Sequence, residues 1–158
     1  HARDYEWYGQ IMGGYGFGAV QDWMISLYSG LGFDFLYDNH SGHSSIAPIQ
    51  LHYSLYYAVA GIETHYAWSN WMVGLQAECL PTFNQYLKVS GLPQSAWTLD
   101  NRVGAFVSIS GAYRFVRNCW LELAPYYRYL PIGDSDVLGL PSRNLNQWGG
   151  LVSFRFFL

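Results

Sequence analysis

The sequence predicts an all-β fold, and three observations predict it. Apolar and polar residues alternate with a period of two over long runs, which is the signature of strands with two unlike sides. Aromatic residues reach 19% with 17 Gly, while charged residues are only 12%, roughly half the usual share of about 25%. Polar breaks between the runs come in a regular order of short, long, short, long, short, long. The tight ones are marked by recurring motifs, Val20-Gln21-Asp22-Trp23-Met24-Ile25, Trp68-Ser69-Asn70-Trp71-Met72-Val73 and Val116-Arg117-Asn118-Cys119-Trp120-Leu121. Each has a polar pair with Asp or Asn second and a Trp directly after it or one residue on. Such a pair between alternating runs signals a hairpin turn.

Seven segments read as strands in order. Glu6–Ala19 is glycine-rich with Ile11, Tyr15 and Phe17 in step. Gly13-Gly14 could be a tight hairpin splitting it into Asp4–Met12 and Tyr15–Gln21, but the unbroken parity argues against that. Trp23–Tyr37 follows the first tight motif and alternates Ile25, Leu27, Leu31, Phe33 and Phe35. Leu51–Ala67 alternates Leu51, Tyr53, Leu55, Tyr57 and Val59; Trp71–Phe83 alternates Val73, Leu75, Ala77 and Cys79. Arg102–Val116, Cys119–Leu130 and Gln147–Leu158 continue with Val107, Ile109, Leu121, Leu123, Val152 and Phe154. All are long enough for a tilted strand to cross a bilayer, about 9–11 residues. Between them lie the long connections Asp38 to Gln50, Asn84 to Asn101 and Pro131 to Asn146, which hold most of the Pro, Ser and Asn.

The chain of 158 residues is one domain, 1–158. No run of about 18 apolar residues occurs, so a helical membrane span is excluded. Collagen, coiled coil and disorder are excluded by the absence of a Gly period or heptad and by the aromatic content. A net charge of −3 with Lys88 as the single lysine argues against a nucleic-acid partner. His1-Ala2-Arg3-Asp4 shows no signal peptide, so the mature chain begins here or has been trimmed.

Charge placement then orients the faces. Opposite the bulky face stand Asp34, Gln76, Glu78, Arg102, Ser108, Ser110, Arg114, Glu122, Arg128, Ser153 and Arg155. A water-facing side would carry Lys and Glu; this one carries small residues with opposed Arg and Glu. The interior of an eight-strand barrel has room for little more than side chains. The expectation is therefore an antiparallel up-and-down transmembrane β-barrel, apolar outward. Eight strands are expected because single-chain bacterial barrels are even-numbered, although seven are visible; the eighth comes from before residue 1 or from the Gly13-Gly14 split. Sorting of short and long connections onto opposite ends fits the periplasmic and external sides of such a barrel.

On these turns, this alternation and the last strand Trp148-Gly149-Gly150-Leu151-Val152-Ser153-Phe154-Arg155-Phe156-Phe157-Leu158, the chain resembles the small bacterial outer-membrane barrels of the OmpA, OmpX and opacity-protein type. Members of that group usually end on an aromatic residue; here Leu158 is last and Phe156 and Phe157 precede it. The resemblance implies the outer membrane of a Gram-negative bacterium, contact with outer-membrane lipid and lipopolysaccharide, and external loops able to meet host or surface ligands. It implies a monomer with a structural or adhesin-like role rather than catalysis.

Several groups are candidates for chemistry. Asp34, Glu78, Arg102, Arg114, Glu122, Arg128 and Arg155, with Glu6 and Gln10, are expected to form a lumen network, because an unpaired charge in a narrow interior costs several kcal/mol. That network would plug the lumen; a water-filled version would make a narrow pore. His52-Tyr53-Ser54 resembles the His-x-Ser arrangement of outer-membrane lipid A deacylases, in which His is general base and Ser the nucleophile. An acyl hydrolase or transferase is thus the alternative to the structural role. Against it, Leu55 replaces the Asn of that pattern, Glu63 lies too far along the strand, and parity turns His52 and Ser54 inward. Glu63 and His65 fall on the lipid-facing parity, so they lie below the membrane or a bulge turns them in. Pro81 and Pro125 sit within strands and each removes a ladder bond; outer-membrane lipid A palmitoyltransferases similarly use strand prolines as lateral openings. Asp38, His40 and His43 read as a polar loop, so no metal or other cofactor is expected. Tyr86, Leu87, Trp97 and Leu140 are assigned to exposed loops, and Cys79 and Cys119 are placed too far apart to bridge.

Overall fold

The computed structural model describes residues 5–20, 22–40, 49–90, 97–117, 119–134 and 143–156, with the side chains of 19, 20, 39, 40, 49, 155 and 156 left aside. They form one antiparallel up-and-down sheet: β1 (Tyr5–Val20), β2 (Trp23–His40), β3 (Ile49–Trp68), β4 (Trp71–Val89), β5 (Trp97–Leu99), β6 (Val103–Val116), β7 (Cys119–Ile132) and β8 (Arg143–Phe156). Among the described residues no helix is long and apolar enough to cross a membrane. The strand order is β1-β2-β3-β4-β6-β7-β8, and β5 pairs with β4 off this path. The eighth strand is therefore the three-residue β5, which lies against Gln85–Leu87. The Gly13-Gly14 split does not occur, since β1 pairs with β2 straight through both glycines.

The tight turns are where the polar pairs stand. Asp22 and Ser69 adopt φ of 70° and 53°, the left-handed backbone that a two-residue hairpin connection demands. Trp68 pairs directly with Trp71 across Ser69-Asn70. These connections define a turn end, and the long ones define a loop end.

The sheet rolls on itself. Although β1 and β8 are the two ends of the strand order, Glu6 of β1 receives hydrogen bonds from Gln147 of β8 and Arg128 of β7. The outside of the roll is apolar. Ile11 is 84% exposed, Ile109 65% and Phe154 62%, with Leu31, Leu75, Val103, Leu123 and Val152 exposed alongside them. Rings crowd the outer surface near the turn end, where Trp23 meets Tyr66 at 5.1 Å, Tyr66 meets Trp68 at 5.7 Å and Trp71 meets Tyr113 at 4.9 Å.

The interior is layered. Nearest the loop end is an apolar core of Leu36, Tyr53, Leu55, Leu80, Leu87, Leu99, Leu130 and Ile132. Leu51, Tyr53, Leu55, Tyr57 and Val59 were expected outside; Tyr53, Leu55, Tyr57 and Val59 are buried, and partly buried Leu51 packs on the same core. Over this stretch the bulky residues of β3 fill the core while His52, Ser54, Tyr56 and Ala58 face outward, so the contrast is present but inverted. The same parity runs on through Glu63 and His65, which point inward without any bulge in β3. The register shift lies instead in β4, where Tyr56 faces Asn84 and Tyr57 faces Thr82, skipping Phe83. Beyond that bulge the inward positions of β4 change from even to odd, which carries Gln85 and Leu87 inside. Leu87 and Trp97 are thus buried rather than loop-exposed, while Leu140 lies outside the described residues.

Glycines make room for interior rings. A Cβ on Gly32 would stand 2.3 Å from the Tyr57 ring, and one on Gly61 2.3 Å from the Tyr28 ring. Gly61→Val should therefore displace Tyr28 and cost about 1–3 kcal/mol, the usual range for overpacking. Gly150, whose added Cβ would meet nothing within 4 Å, is the control. Urea unfolding in lipid vesicles, followed by Trp fluorescence, should show a lower midpoint for Gly61→Val and little change for Gly150→Ala.

Candidate functional site

The site is the polar middle of the interior, built by inward positions of the seven long strands. Arg128 on β7 is its hub and is 2% exposed. Its Nη1 donates to Glu6 Oε1 and to Gln147 Oε1, both at 3.0 Å. Its Nη2 donates to Tyr57 Oη at 3.1 Å and lies 2.7 Å from Asp34 Oδ2. The guanidinium also stands over the Tyr8 and Tyr57 rings at 5.0 and 5.6 Å. One cation thus ties β1, β2, β3 and β8 to β7. Gln10 Nε2 reaches Tyr57 Oη at 3.4 Å, which joins it to the same layer.

Toward the turn end a second group follows. Tyr28 Oη donates to Glu78 Oε1 at 3.0 Å, and Gln76 Nε2 donates to both, each at 2.9 Å. Ser108 Oγ then donates to Gln76 Oε1 at 3.1 Å. His65 Nε2 lies 3.2 Å from Glu63 Oε1, and Ser153 Oγ donates to Glu122 Oε2 at 2.8 Å. Along this stretch the interior is not filled. A cavity of about 370 Å³ is lined by Met12, Gly14, Gly16, Tyr28, Glu63 and Gln76 among others.

The expected lumen residues divide by place. Asp34, Glu78, Glu122 and Arg128 are interior. Arg102 and Arg114 are not in the lumen middle, because each sits at a strand end where the charge can reach water. Arg102 precedes β6 at the loop end and pairs with Asp134 and Asp100. Arg114 lies by the turn end, where it donates to Asn70 Oδ1 and to the Ser69 carbonyl and covers the Trp120 ring at 5.5 Å. The Arg155 side chain lies outside the described residues. Sequence reasoning missed Arg143, which pairs with Asp38 at the loop end, because it had been counted into a long connection. It also missed Tyr57 and Tyr28 as interior hydroxyls; Gly32 and Gly61 opposite them are the sequence trace that could have shown it.

His52 and Ser54 are outward, not inward, since β3 keeps its odd positions inside throughout. The His52 ring packs on Tyr37 at 4.7 Å, and its ladder neighbours are Tyr37 and Lys88; those of Ser54 are Phe35 and Tyr86. No carboxylate stands in either row. Glu63 is on the opposite face about 37 Å along the strand at ~3.4 Å per residue. Asp38 is engaged with Arg143, the His40 side chain and His43 lie outside the described residues, and no cluster of three His, Cys, Asp or Glu suited to a metal occurs among the described residues. Cys79 and Cys119 are free thiols.

Both prolines interrupt ladders. Pairing between β6 and β7 stops from Ser108–Tyr126 to Gly111–Leu123 around Pro125, and pairing between β3 and β4 stops from Tyr57–Thr82 to Ala60–Cys79 beside Pro81. A surface depression of about 330 Å³ at the first gap is lined by Ile109, Pro125, Tyr127 and Trp148.

No known protein-family model matches this chain, and no curated protein matches it.

Two outcomes follow. Arg128→Met leaves Asp34, fully buried, without its cation and should cost about 3–5 kcal/mol in folding. Adding Asp34→Asn should recover part of that loss in the same urea assay. At the loop end, the hydrogen bond from Arg102 holds Asp134 below the usual carboxylate range. A depressed folded value means the pair stabilises above the ordinary Asp range, near pH 3.9, and is lost as pH falls through the folded value. Carboxyl carbon NMR of Asp134 should show its titration midpoint below that of an unpaired Asp, returning upward in Arg102→Gln.

Proposed function

We propose that the chain is an integral β-barrel of the bacterial outer membrane, of the OmpA, OmpX and opacity-protein type. Its interior is closed by side chains, and its role is structural or surface-interacting. One observation carries this reading. The protein is inside out relative to a water-soluble barrel: large apolar side chains cover its outer surface while Asp34, Glu78, Glu122 and Arg128 are buried. In water such a continuous apolar exterior drives association. In a bilayer it is the band that hydrocarbon wets, and the ring-rich margin near the turn end suits the headgroup interface.

The upper edge of the band is marked by outward polar groups. Asn84 and Lys88 of β4 are exposed, and Tyr127 and Tyr129 donate to Asn146 and Asn144 on the outer face of β8. Above that line the strands stand clear of lipid around the leucine core, and the loop end faces outward to lipopolysaccharide or surface ligands. The Arg128 layer and the core above it block a straight path through the roll, so the pore reading is less favoured. The outward, carboxylate-free setting of His52 and Ser54 disfavours acyl transfer.

Expressed in a Gram-negative host, the protein should fractionate with outer membranes, resist carbonate extraction and migrate differently on gels when unboiled. Purified protein should give no steady conductance in planar bilayers and leave the acyl pattern of lipid A intact by mass spectrometry. Recovery in the soluble fraction overturns the reading; discrete conductance favours the pore and a shortened acyl pattern the enzyme.

A further inference from the structure

The roll has a seam. Between β1 and β8 the described contacts are side-chain contacts, from Glu6 to Gln147 and Arg128, and no backbone ladder joins the two strands among the described residues. Toward the turn end the inward-facing positions Met12, Gly14 and Gly16 of β1 are exposed, and the interior cavity opens beside them.

Strand direction explains why the seam does not zip shut in the pattern of the rest of the sheet. Six antiparallel junctions separate β1 from β8, those of β1 to β2, β2 to β3, β3 to β4, β4 to β6, β6 to β7 and β7 to β8. After an even number of reversals the two edges run the same way. A direct join would be the one parallel pair in an antiparallel sheet, whereas one more strand of opposite direction pairs antiparallel with both.

We infer that the seam is a strand-accepting site, filled by one further β-strand of the same polypeptide that runs from the turn end to the loop end. This rests on the membrane reading, because in hydrocarbon the open edge N–H and C=O groups must find partners. A second copy cannot supply the strand. Copies inserted in the same orientation present their β1 and β8 edges parallel to these, and an antiparallel edge requires a copy inserted upside down. Connectivity favours the same chain, since the long strands pair in chain order throughout. Even fully extended, four residues reach only about 14 Å at ~3.4 Å each, too little for an edge of 16 residues. The strand that fits has apolar residues outward, continuing the band of Ile11 and Val152, and small residues inward over the cavity.

The test uses the full natural polypeptide in native outer membranes. The photo-crosslinking residue p-benzoylphenylalanine replaces Trp7 in one variant and Tyr15 in another, and captured peptides are identified by mass spectrometry. Unboiled gel mobility checks that each variant folds. The inference expects both to capture one segment of the same polypeptide outside residues 5–156, with Tyr15 reaching the earlier part of that segment and Trp7 the later part. It also expects β1 amides from Met12 to Phe17 to exchange with deuterium as slowly as those of β2. Capture of β8 peptides, capture of a different protein, the reverse order, or fast exchange along β1 in membrane-embedded protein overturns it. Protein found outside the membrane fraction overturns the membrane reading instead.

Discussion

The structure depends on one buried guanidinium. Arg128 reaches partners on β1, β2, β3 and β8 from its own strand β7. An arginine suits this post because it stays charged and spreads five donors in a plane. Removing it from water is costly, and the cost is offset only when its neighbours answer those donors. Glu6, Tyr57 and Gln147 accept from its two Nη groups and Asp34 stands beside one of them, while Nε has no hydrogen-bond partner among the described residues; strands distant in the order of the sheet must curl toward one another to bring these groups to it. The curvature of the roll and the pairing of this buried cation are thus the same requirement.

The remaining interior follows from what that layer leaves over. Above it, toward the loop end, leucines fill the space as in an ordinary core, and β5 folds back to add Trp97 and Leu99. Below it, Tyr28, Gln76, Glu78 and Ser108 are joined by hydrogen bonds and Ser153 donates to Glu122, with glycines set opposite Tyr28 and Tyr57 to admit their rings. The outer face has no such obligations. It is largely apolar over the middle of the long strands, with outward polar groups such as His52, Ser54, Asn84, Lys88, Asn144 and Asn146 toward the loop end.

Much of this was legible. The turns at Asp22 and Ser69-Asn70 followed from polar pairs, because few residue types tolerate the backbone they impose. Outward faces of β2, β6, β7 and β8 followed from alternation, because each has a charged or small inner side to contrast with a bulky outer one. The reading failed on β3, where the apolar side packs into the core near the loop end and the side with His52 and Ser54 faces out. There, Glu63 and His65 held the true parity and were set aside as exceptions. Failure propagated to His52 and Ser54, whose side was inferred from that strand. The Phe83 bulge and the return of β5 left no mark in the hydropathy pattern, since a single skipped residue is set by pairing with a neighbour. Arg102 and Arg114 share the parity of the interior charges but sit at strand ends, and parity carries no information about depth.

The central claim is that hydrocarbon wets the bulky side of the roll. Nitroxide labels placed singly along β6 from Ala105 to Tyr113, in protein reconstituted into lipid vesicles, test it most directly. The account predicts a period of two in collision with oxygen: Ala105, Val107, Ile109, Gly111 and Tyr113 accessible to oxygen and shielded from a water-soluble nickel reagent, with the positions between them shielded from both or open only to the nickel reagent. Odd positions that collide freely with the nickel reagent, or an absence of any period, would contradict it.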